Sequence, residues 1–349
     1  MRIIPDINSI CIVRDRIWKR CNGSSRYSYL LISRLPRSYK RLPLALGQAA
    51  VHEPFVTELF DRKETSPPKE PVSLFEILRL AYDSDILIPV MPYNPDALLS
   101  TRTRETSKNG RPEEIRRLSA LWFAAEEPDE QLNIKVEELF WATTLLFAGT
   151  GKPGRKPRLD FFLMHLLNAT LFLPSLLKAV PTQQSKAELI HAFLATLLMI
   201  VLLRGRPRID TELMISYSTN PSPPHVEGAP ILQADSSAMG DPNDRACINP
   251  WIDILSSVIY APDPHTIKAV RALYYASQHY GHTSAGDVVG TIGNNGQETL
   301  KGIGKVDGAV FVRAAGVLMD TLGWVSHGQT AGNWDRSALG WDDAWKGGD

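Results

Sequence analysis

A mostly α-helical fold is predicted by three features of this sequence. Apolar residues recur at helical spacing in several segments, helix-capping residues stand ahead of these segments, and no two strand-like runs are joined by a tight turn. The chain has 349 residues with 44% hydrophobic content, which is enough to bury one large core. We therefore expect a large helical bundle with a single-layered core and long irregular loops.

Three helices are predicted in the first half of the chain. Ser73 and Glu76 have the spacing of a capping box, which predicts a helix that begins at Ser73. Apolar residues at helical period predict further helices over 113–125 and 137–147. The stretch 89–109 is rich in Pro, Ser, Thr and Asn, and is therefore expected to be a long surface connection.

Two strongly apolar helices are predicted in the middle of the chain. Asp160 is the expected cap of a helix that runs toward Pro174. Ser185 and Glu188 repeat the capping-box spacing, which predicts a helix that ends near Leu203. Both runs are candidates for membrane spans by hydropathy, but the first is interrupted by polar residues and the second is shorter than the ~20 residues that cross a bilayer. We expect both to be buried helices of a protein that has no membrane partner.

Two more helices are predicted toward the C-terminal end. Asp263 followed by Pro264 is the strongest helix start in the chain, because it places a capping carboxylate before a proline at the first helical position. This helix is expected to run to about Tyr280, and another buried helix is expected after Asp307. The stretch 220–250 has no sustained period and is expected to be a loop.

Charge and cysteine content narrow the class of protein. The 38 basic residues balance the 38 acidic ones, so no overall field attracts nucleic acid, and nucleic acid is not expected as a partner. Three cysteines without a spaced framework, and no secretory signal, indicate a reducing compartment. We expect a cytoplasmic protein, with a mitochondrial location as the alternative because the first 50 residues are rich in arginine. The oligomeric state is not indicated.

One glycine pattern in the sequence is spelled like a nucleotide-binding motif. The pattern Gly149-x-Gly151-x-x-Gly154 matches a dinucleotide fingerprint by spelling, but it follows a predicted helix and contains Pro153. The helix that such a motif needs is also broken at Pro157. We reject it as a nucleotide site, and no Walker A sequence is present.

Four side chains are candidates for metal or acid–base chemistry. His265 and Lys268 are three residues apart, so they share one face of their predicted helix, and His265 is expected to be neutral beside the exposed N–H groups of the helix start. His165 interrupts an apolar run, and His52 stands next to an acidic residue. From spacing alone, ordinary structural roles are favoured: a capping His, a solvated Lys, a hydrogen-bonded core His and a surface pair.

Arginines cluster after the second apolar helix. Arg204, Arg206 and Arg208 alternate over five residues. Guanidinium groups hold carboxylates and phosphates through paired hydrogen bonds, so Arg204 and Arg206 are candidates for substrate binding. An equally favoured interpretation is that these cations interact with a helix C-terminus.

Several long stretches resemble the questin oxidase-like family of fungal secondary metabolism. They run from about Pro43 to Trp345 and read "QAAVHEPF", "DFFLMHLLNATLFLPSLLK", "RGRPRIDTELMISY", "NPWIDILSSVIYAPDPHTIKAVRALYYASQHYG", "DGAVFVRAAGVLMDTLGWV" and "WDRSALGWDDAW". The resemblance implies a helical domain over 43–349. It also implies an oxidoreductase that acts on aromatic polyketides such as anthraquinones, by Baeyer–Villiger-like oxygen insertion or ring cleavage.

The resemblance further implies cofactors and ligand positions. It points to NADPH and to a non-haem iron centre rich in histidine, with a carboxylated lysine among its ligands. On this chain His165 and Lys268 are the positions that correspond, with His265 and His52 as secondary candidates. Met1–Lys40 lacks the histidines that the family carries there, so residues 1–42 are expected to be an atypical, poorly ordered basic segment of a truncated or mispredicted start. The alternative function is then a catalytically inactive paralogue that binds a ligand.

Overall fold

The structure is a computed structural model that describes residues 56–60, 68–124, 127–224, 233–239, 241 and 248–347. Within these ranges the chain is helical, and its α-helices are Leu74–Asp83 (α1), Leu99–Thr106 (α2), Arg111–Ala120 (α3), Asp129–Ala148 (α4), Phe161–Thr170 (α5), Leu173–Ala179 (α6), Gln183–Leu203 (α7), Thr211–Ser216 (α8), Pro250–Val258 (α9), Pro264–Tyr280 (α10) and Val310–Leu322 (α11). Short 3-10 helices lie at Thr57–Phe60, Ile303–Lys305, Val325–His327 and Asp342–Trp345. The described ranges contain isolated β-bridges and no strand. The prediction of a mostly α-helical fold is confirmed.

The core is centred on α4 and α7, which are apolar on nearly every side. From Glu188 onward, His191 is the sole residue of α7 that is not buried. A helix that is hydrophobic all round has to lie inside the fold. Helix α4 packs against α5, α7 and α11, while α10 covers α5 and α11 from outside. The indoles of Trp122, Trp141 and Trp324 are fully buried around these contacts.

The predicted helix starts are largely confirmed. The Ser73 hydroxyl accepts a hydrogen bond from the Glu76 N–H at 3.2 Å, and Asp160 accepts from the Phe162 and Leu163 N–H groups at 2.8 and 3.2 Å. Asp263 accepts from the His265 N–H at 2.9 Å. Each cap satisfies a backbone donor that has no partner within its helix.

The predicted start at Ser185 is wrong. Helix α7 begins at Gln183, and Thr182 accepts the Ser185 N–H at 3.2 Å. Glu188 is buried and accepts from the Gln184 side chain at 3.3 Å, so it does not close a capping box. Thr also caps helices, and this helix uses Thr182, the earlier of the two possible caps.

Some of the connections predicted as irregular contain helices. Helix α2 lies inside the stretch 89–109, where its buried Arg102 donates to the Ala97 and Ser337 carbonyls.

The predicted helix toward Pro174 is two helices, because this proline starts α6 and the chain bends by 41°. Tertiary contacts therefore outweigh the poor helix propensity of these segments.

Hydropathy alone singles out α7 as long enough to cross a membrane. In its most apolar window 83% of the residues are buried inside the fold, and the bent pair α5 and α6 passes the same test. Because core helices of globular proteins have this composition, the burial agrees with the prediction that both runs are core helices.

A C-terminal strap, defined as residues 334–345, closes over the loop before α5. Asp335 exchanges backbone hydrogen bonds with Leu159 and Phe161, at 2.9 and 2.8 Å, and its carboxylate pairs with Arg158 at 2.7 Å. The Gly340 N–H donates to the Arg204 carbonyl at 2.9 Å. The strap therefore fixes the start of α5 and the end of α7 together.

Gly205 allows this strap to approach. Its φ is +86°, and a Cβ added there would lie 2.2 Å from Cε3 of Trp341. We expect Gly205→Ala to lower the free energy of unfolding by about 2–3 kcal/mol, from the strained backbone and the clash together. Chemical denaturation measures this. Gly154→Ala is the matched control, because its φ is +75° with nothing within 4 Å of the added Cβ, and it is expected to cost about 1 kcal/mol. Equal losses in the two variants would contradict the steric argument.

Candidate metal and substrate site

Two of the candidate histidines lie side by side where α5 packs against α10. The ring centroids of His165 and His265 are 5.2 Å apart, with 48° between the ring planes. The Phe161 ring contacts both of them, at 4.5 and 4.9 Å between centroids. Both imidazoles are half-buried, so they can be reached from solvent. The packing of α5 against α10 thus brings two residues that are 100 positions apart in the sequence into proximity.

The orientation of His165 is set by its own helix. Its Nδ1 lies 2.7 Å from the Phe161 carbonyl oxygen. Because a carbonyl oxygen only accepts, Nδ1 carries the proton in this contact. A neutral imidazole with its proton on Nδ1 carries its lone pair on Nε2, which is the form in which imidazole binds a metal or accepts a proton.

The orientation of His265 is set by the cap of its helix. Oδ1 of Asp263 lies 2.7 Å from His265 Nδ1, and it also accepts the backbone N–H. Burial acts to raise the pKa of Asp263, but the hydrogen bonds from His265 outweigh it and the pKa lies below the ordinary value. A carboxylate on Nδ1 is the arrangement that orients metal-binding histidines and makes their Nε2 more basic.

An aromatic and cationic wall stands beside the pair. Trp334 of the strap lies 6.3 Å from Phe161 between ring centroids. The guanidinium carbon of Arg336 lies 3.7 Å from the centroid of the same Phe161 ring. Arg336 is exposed, and it therefore offers a positive charge to any molecule that approaches the two histidines.

The other two candidate ligands are placed differently. Lys268 follows His265 by three residues on α10, and its side chain is exposed. His52 lies outside the described residues. Among the described residues, no group of three His, Cys, Asp or Glu side chains is close enough together to hold a metal ion. The described part of the chain therefore supplies two imidazoles and no third ligand of these types.

The two imidazoles fit the chemistry of an iron site in their donor type and spacing. Metal–nitrogen bonds of roughly 2.1 Å allow two rings at this separation to reach one ion. Both rings have Nδ1 hydrogen-bonded to an oxygen, so Nε2 is the nitrogen that would coordinate an ion. The residues present therefore fit part of a centre, and further ligands have to complete it.

An open cleft of about 750 Å³ lies between the segment that follows α9 and the segment that follows α11. It is lined by Tyr260, Pro262, Val325, Ser326, Gln329 and Ala331. Pro262 directly precedes Asp263, and Ala331 is three residues before Trp334, so the segments that line the cleft continue into the site. The volume is in the range that holds one small organic molecule.

The arginine cluster does not open onto this cleft. Arg204 is 1% exposed and pairs with the equally buried Asp160 at 2.7 Å. Arg206 donates to the Ala81 and Ser84 carbonyls at 3.1 and 2.9 Å, at the end of α1. Arg206 therefore interacts with the C-terminus of a helix, as one of the two interpretations predicted. The helix is α1, whereas the sequence suggested the preceding helix, α7. Neither arginine lines the cleft described above.

The sequence missed several residues of the site. Asp263 was recognised as a cap but not as the partner of the His265 ring, although an Asp two residues before a His at a helix start makes this contact possible. Trp334 and Arg336 come from the strap, and no local pattern places them against α5. The glycine motif at Gly149 follows α4 and not a strand, as predicted.

The fold and the histidine pair define a helical protein with a candidate two-imidazole centre and an open cleft. Comparison with protein families identifies the class further, since the model described as questin oxidase-like matches residues 43–273. This chain belongs to the questin oxidase-like family. Membership points to an oxidoreductase of secondary metabolism. No curated protein matches the chain.

Proposed function

We propose that this protein is a non-haem iron oxygenase that oxidises an aromatic polyketide of the anthraquinone type, by Baeyer–Villiger-like oxygen insertion or ring cleavage. The observation that carries the proposal is the pair of His165 and His265, whose rings lie 5.2 Å apart with Nδ1 of each engaged. The family supports the oxidative chemistry, and the cleft supports a small-molecule substrate.

In this proposal His165 and His265 would be two of the residues that hold the iron. A carboxylated Lys268, one turn beyond His265, and His52 are the candidates for the remaining ligands. Iron in such a site supplies an open coordination position for dioxygen. The electrons come from NADPH, as the resemblance implies, and no residue of this chain is assigned to that nucleotide.

The chain's own residues would act by positioning. The Phe161 carbonyl and the Asp263 carboxylate would keep both Nδ1 protons in place, so that Nε2 of each ring would be the coordinating nitrogen. The cleft presents apolar surface and the Tyr260 ring to a fused-ring substrate. Arg336 is placed to attract a phenolate oxygen of that substrate, because it carries a fixed positive charge next to Phe161.

Iron binding tests the proposal directly. We expect the full chain, loaded anaerobically with Fe(II) and desalted, to retain one iron by elemental analysis. His165→Ala and His265→Ala are expected to lose it, and Asp263→Asn is expected to lower iron affinity about 10–100-fold, because the His265 ring is no longer oriented. If Lys268 is carboxylated, bicarbonate raises the affinity of the wild type and not of Lys268→Arg.

His279→Ala is the matched control for these variants. His279 also lies on α10 and also has Nδ1 near a backbone carbonyl, that of Tyr275 at 2.8 Å, but it is exposed and away from α5. It is expected to retain iron. A wild-type protein that folds and binds no iron, or variants of His165 and His265 that bind it normally, would end the proposal of an iron centre here.

A ligand-binding protein without catalysis is the second candidate. The observation in its favour is that the described residues supply only two ligands while the cleft is already formed. Fluorescence titration with a hydroxyanthraquinone separates the two: binding without oxygen consumption in the iron-loaded protein supports the second candidate.

A further inference from the structure

A buried cluster of positive charge lies where α2, the end of α7 and the C-terminal strap meet. Arg102 and Arg204 are 8% and 1% exposed. Asp160, 1% exposed, pairs with Arg204 at 2.7 Å. The hydrogen bonds of Arg102 go to the carbonyls of Ala97, Asn94 and Ser337. Of these three buried groups, two are positively charged and one is negatively charged. Among the described residues, one positive charge therefore has no carboxylate partner.

The two guanidinium groups are close enough to repel each other. Burial lowers the pKa of Arg102 below its ordinary value, and the charge of Arg204 lowers it further. The remaining contacts of both are with aromatic faces: Arg102 lies 5.2 Å from the Trp341 ring centroid and Arg204 lies 4.6 Å from that of Phe162. Aromatic faces attract cations without neutralising them.

Two buried N–H donors at this junction have no acceptor among the described residues. They are Nη2 of Arg204 and Nε1 of Trp341. Trp341 packs its ring against Gly205, the residue next to Arg204, and Gly340 bonds the Arg204 carbonyl. Buried donors are nearly always satisfied in folded proteins, so a molecule that accepts hydrogen bonds is expected here.

The chemistry of the junction favours an anion over water. A water molecule needs acceptors for its own two protons, whereas both unsatisfied atoms are donors and the surplus charge is positive. We propose that the junction of Arg102, Arg204 and Trp341 binds a small monovalent anion of the size of chloride.

This site is separate from the proposed iron centre in its ligand and in its role. The anion would neutralise the Arg102 charge and hold the strap against the end of α7. Its effect is therefore a stabilisation of the folded chain that increases with anion concentration.

Thermal unfolding of the full chain tests the proposal. Sodium gluconate is replaced stepwise by sodium chloride or bromide at constant pH and ionic strength, since gluconate is too large for a buried site. We expect Tm to keep rising with anion concentration once the site is filled, by about 4 °C in total at a hundredfold excess over Kd. Chloride NMR line broadening by the folded protein gives an independent measure of binding.

Trp341→Phe and Trp324→Phe form a matched pair of variants. Trp341→Phe keeps an aromatic ring against Gly205 and removes the unsatisfied N–H, so Kd for chloride is expected to rise about tenfold or more. Trp324→Phe removes an indole N–H that already bonds Asp320 at 2.8 Å, and Kd is expected to stay the same. A Tm that is equal in all salts means water or nothing occupies the junction, and it overturns the proposal. An unchanged Kd in Trp341→Phe also overturns it, because the anion then binds elsewhere.

Discussion

Replacing Asp160 with alanine is expected to lower the free energy of unfolding by about 3–5 kcal/mol, because Arg204 is left as an uncompensated buried charge. The carboxylate has two functions: Oδ1 caps α5 and Oδ2 accepts from Arg204 at 2.7 Å. Urea denaturation with constant m-value measures the loss. The effect is also expected to reach the proposed iron site, because α5 carries His165.

Asp210→Ala is the control that measures the cost of losing a helix cap without losing a buried ion pair. Asp210 caps α8 through the Leu213 N–H at 2.9 Å, and among the described residues it does not pair with a buried arginine as Asp160 does. Its loss is expected to cost about 1 kcal/mol, the usual value for a cap. An Asp160→Ala variant that is no less stable than Asp210→Ala would show that the buried pair contributes nothing. The double variant Asp160→Asn with Arg204→Met is expected to recover part of the loss, because no charge is then stranded.

Glu138→Ala is expected to cost about 3–4 kcal/mol, the second largest effect. Glu138 is 6% exposed, and its Oε2 accepts from the Leu74 N–H at 2.6 Å and from Trp122 Nε1 at 3.0 Å. Alanine strands both donors and leaves a cavity between α1 and α4. Glu137→Ala is the control, since Glu137 also accepts from an indole, that of Trp141 at 3.2 Å, but is only half-buried.

The same carboxyl predicts a pH dependence of stability. Burial raises the pKa of Glu138, although the bonds from Leu74 and Trp122 and the charge of Lys135 lower it. As pH rises, the unfolded chain therefore releases this proton first. The contribution of Glu138 is full below the ordinary carboxyl pKa of 4.5 and is lost as pH rises toward the folded value.

Glu138→Gln isolates the pH-dependent contribution of this carboxyl to stability, because an amide oxygen can accept the same two hydrogen bonds without titrating. The variant is expected to gain stability relative to the wild type as pH is raised from 4 to 8, in denaturation curves at a series of pH values. A constant difference between the two proteins over that range would contradict a raised pKa.

Local signals predicted the fold well because they act within a few residues. Asp160 and Asp263 cap their helices in the structure as their sequence positions indicate. The start of α7 was misplaced because Thr182 and Ser185 are both good caps, and composition alone does not rank them. Helix α2 was missed because a contact between Arg102 and Ser337, distant in sequence, helps to hold it.

The candidate site was less predictable for the same reason. His165 and His265 were both considered, but spacing within one helix pairs His265 with Lys268 and says nothing of His165 on another helix. Their proximity depends on how α5 packs against α10. Arg336 is brought to Phe161 by the strap, so its role depends on the whole fold.

The position of the strap has a consequence for biosynthesis. Asp335 bonds Arg158 across 177 residues, and the family match ends at residue 273, inside α10. The segment that seats α5 is thus synthesised long after α5 itself, and His165 and His265 are not held in their final arrangement until the ribosome has passed residue 345. A premature stop codon just before Trp334 would therefore yield a chain that includes every proposed iron ligand but lacks the strap that fixes the start of α5.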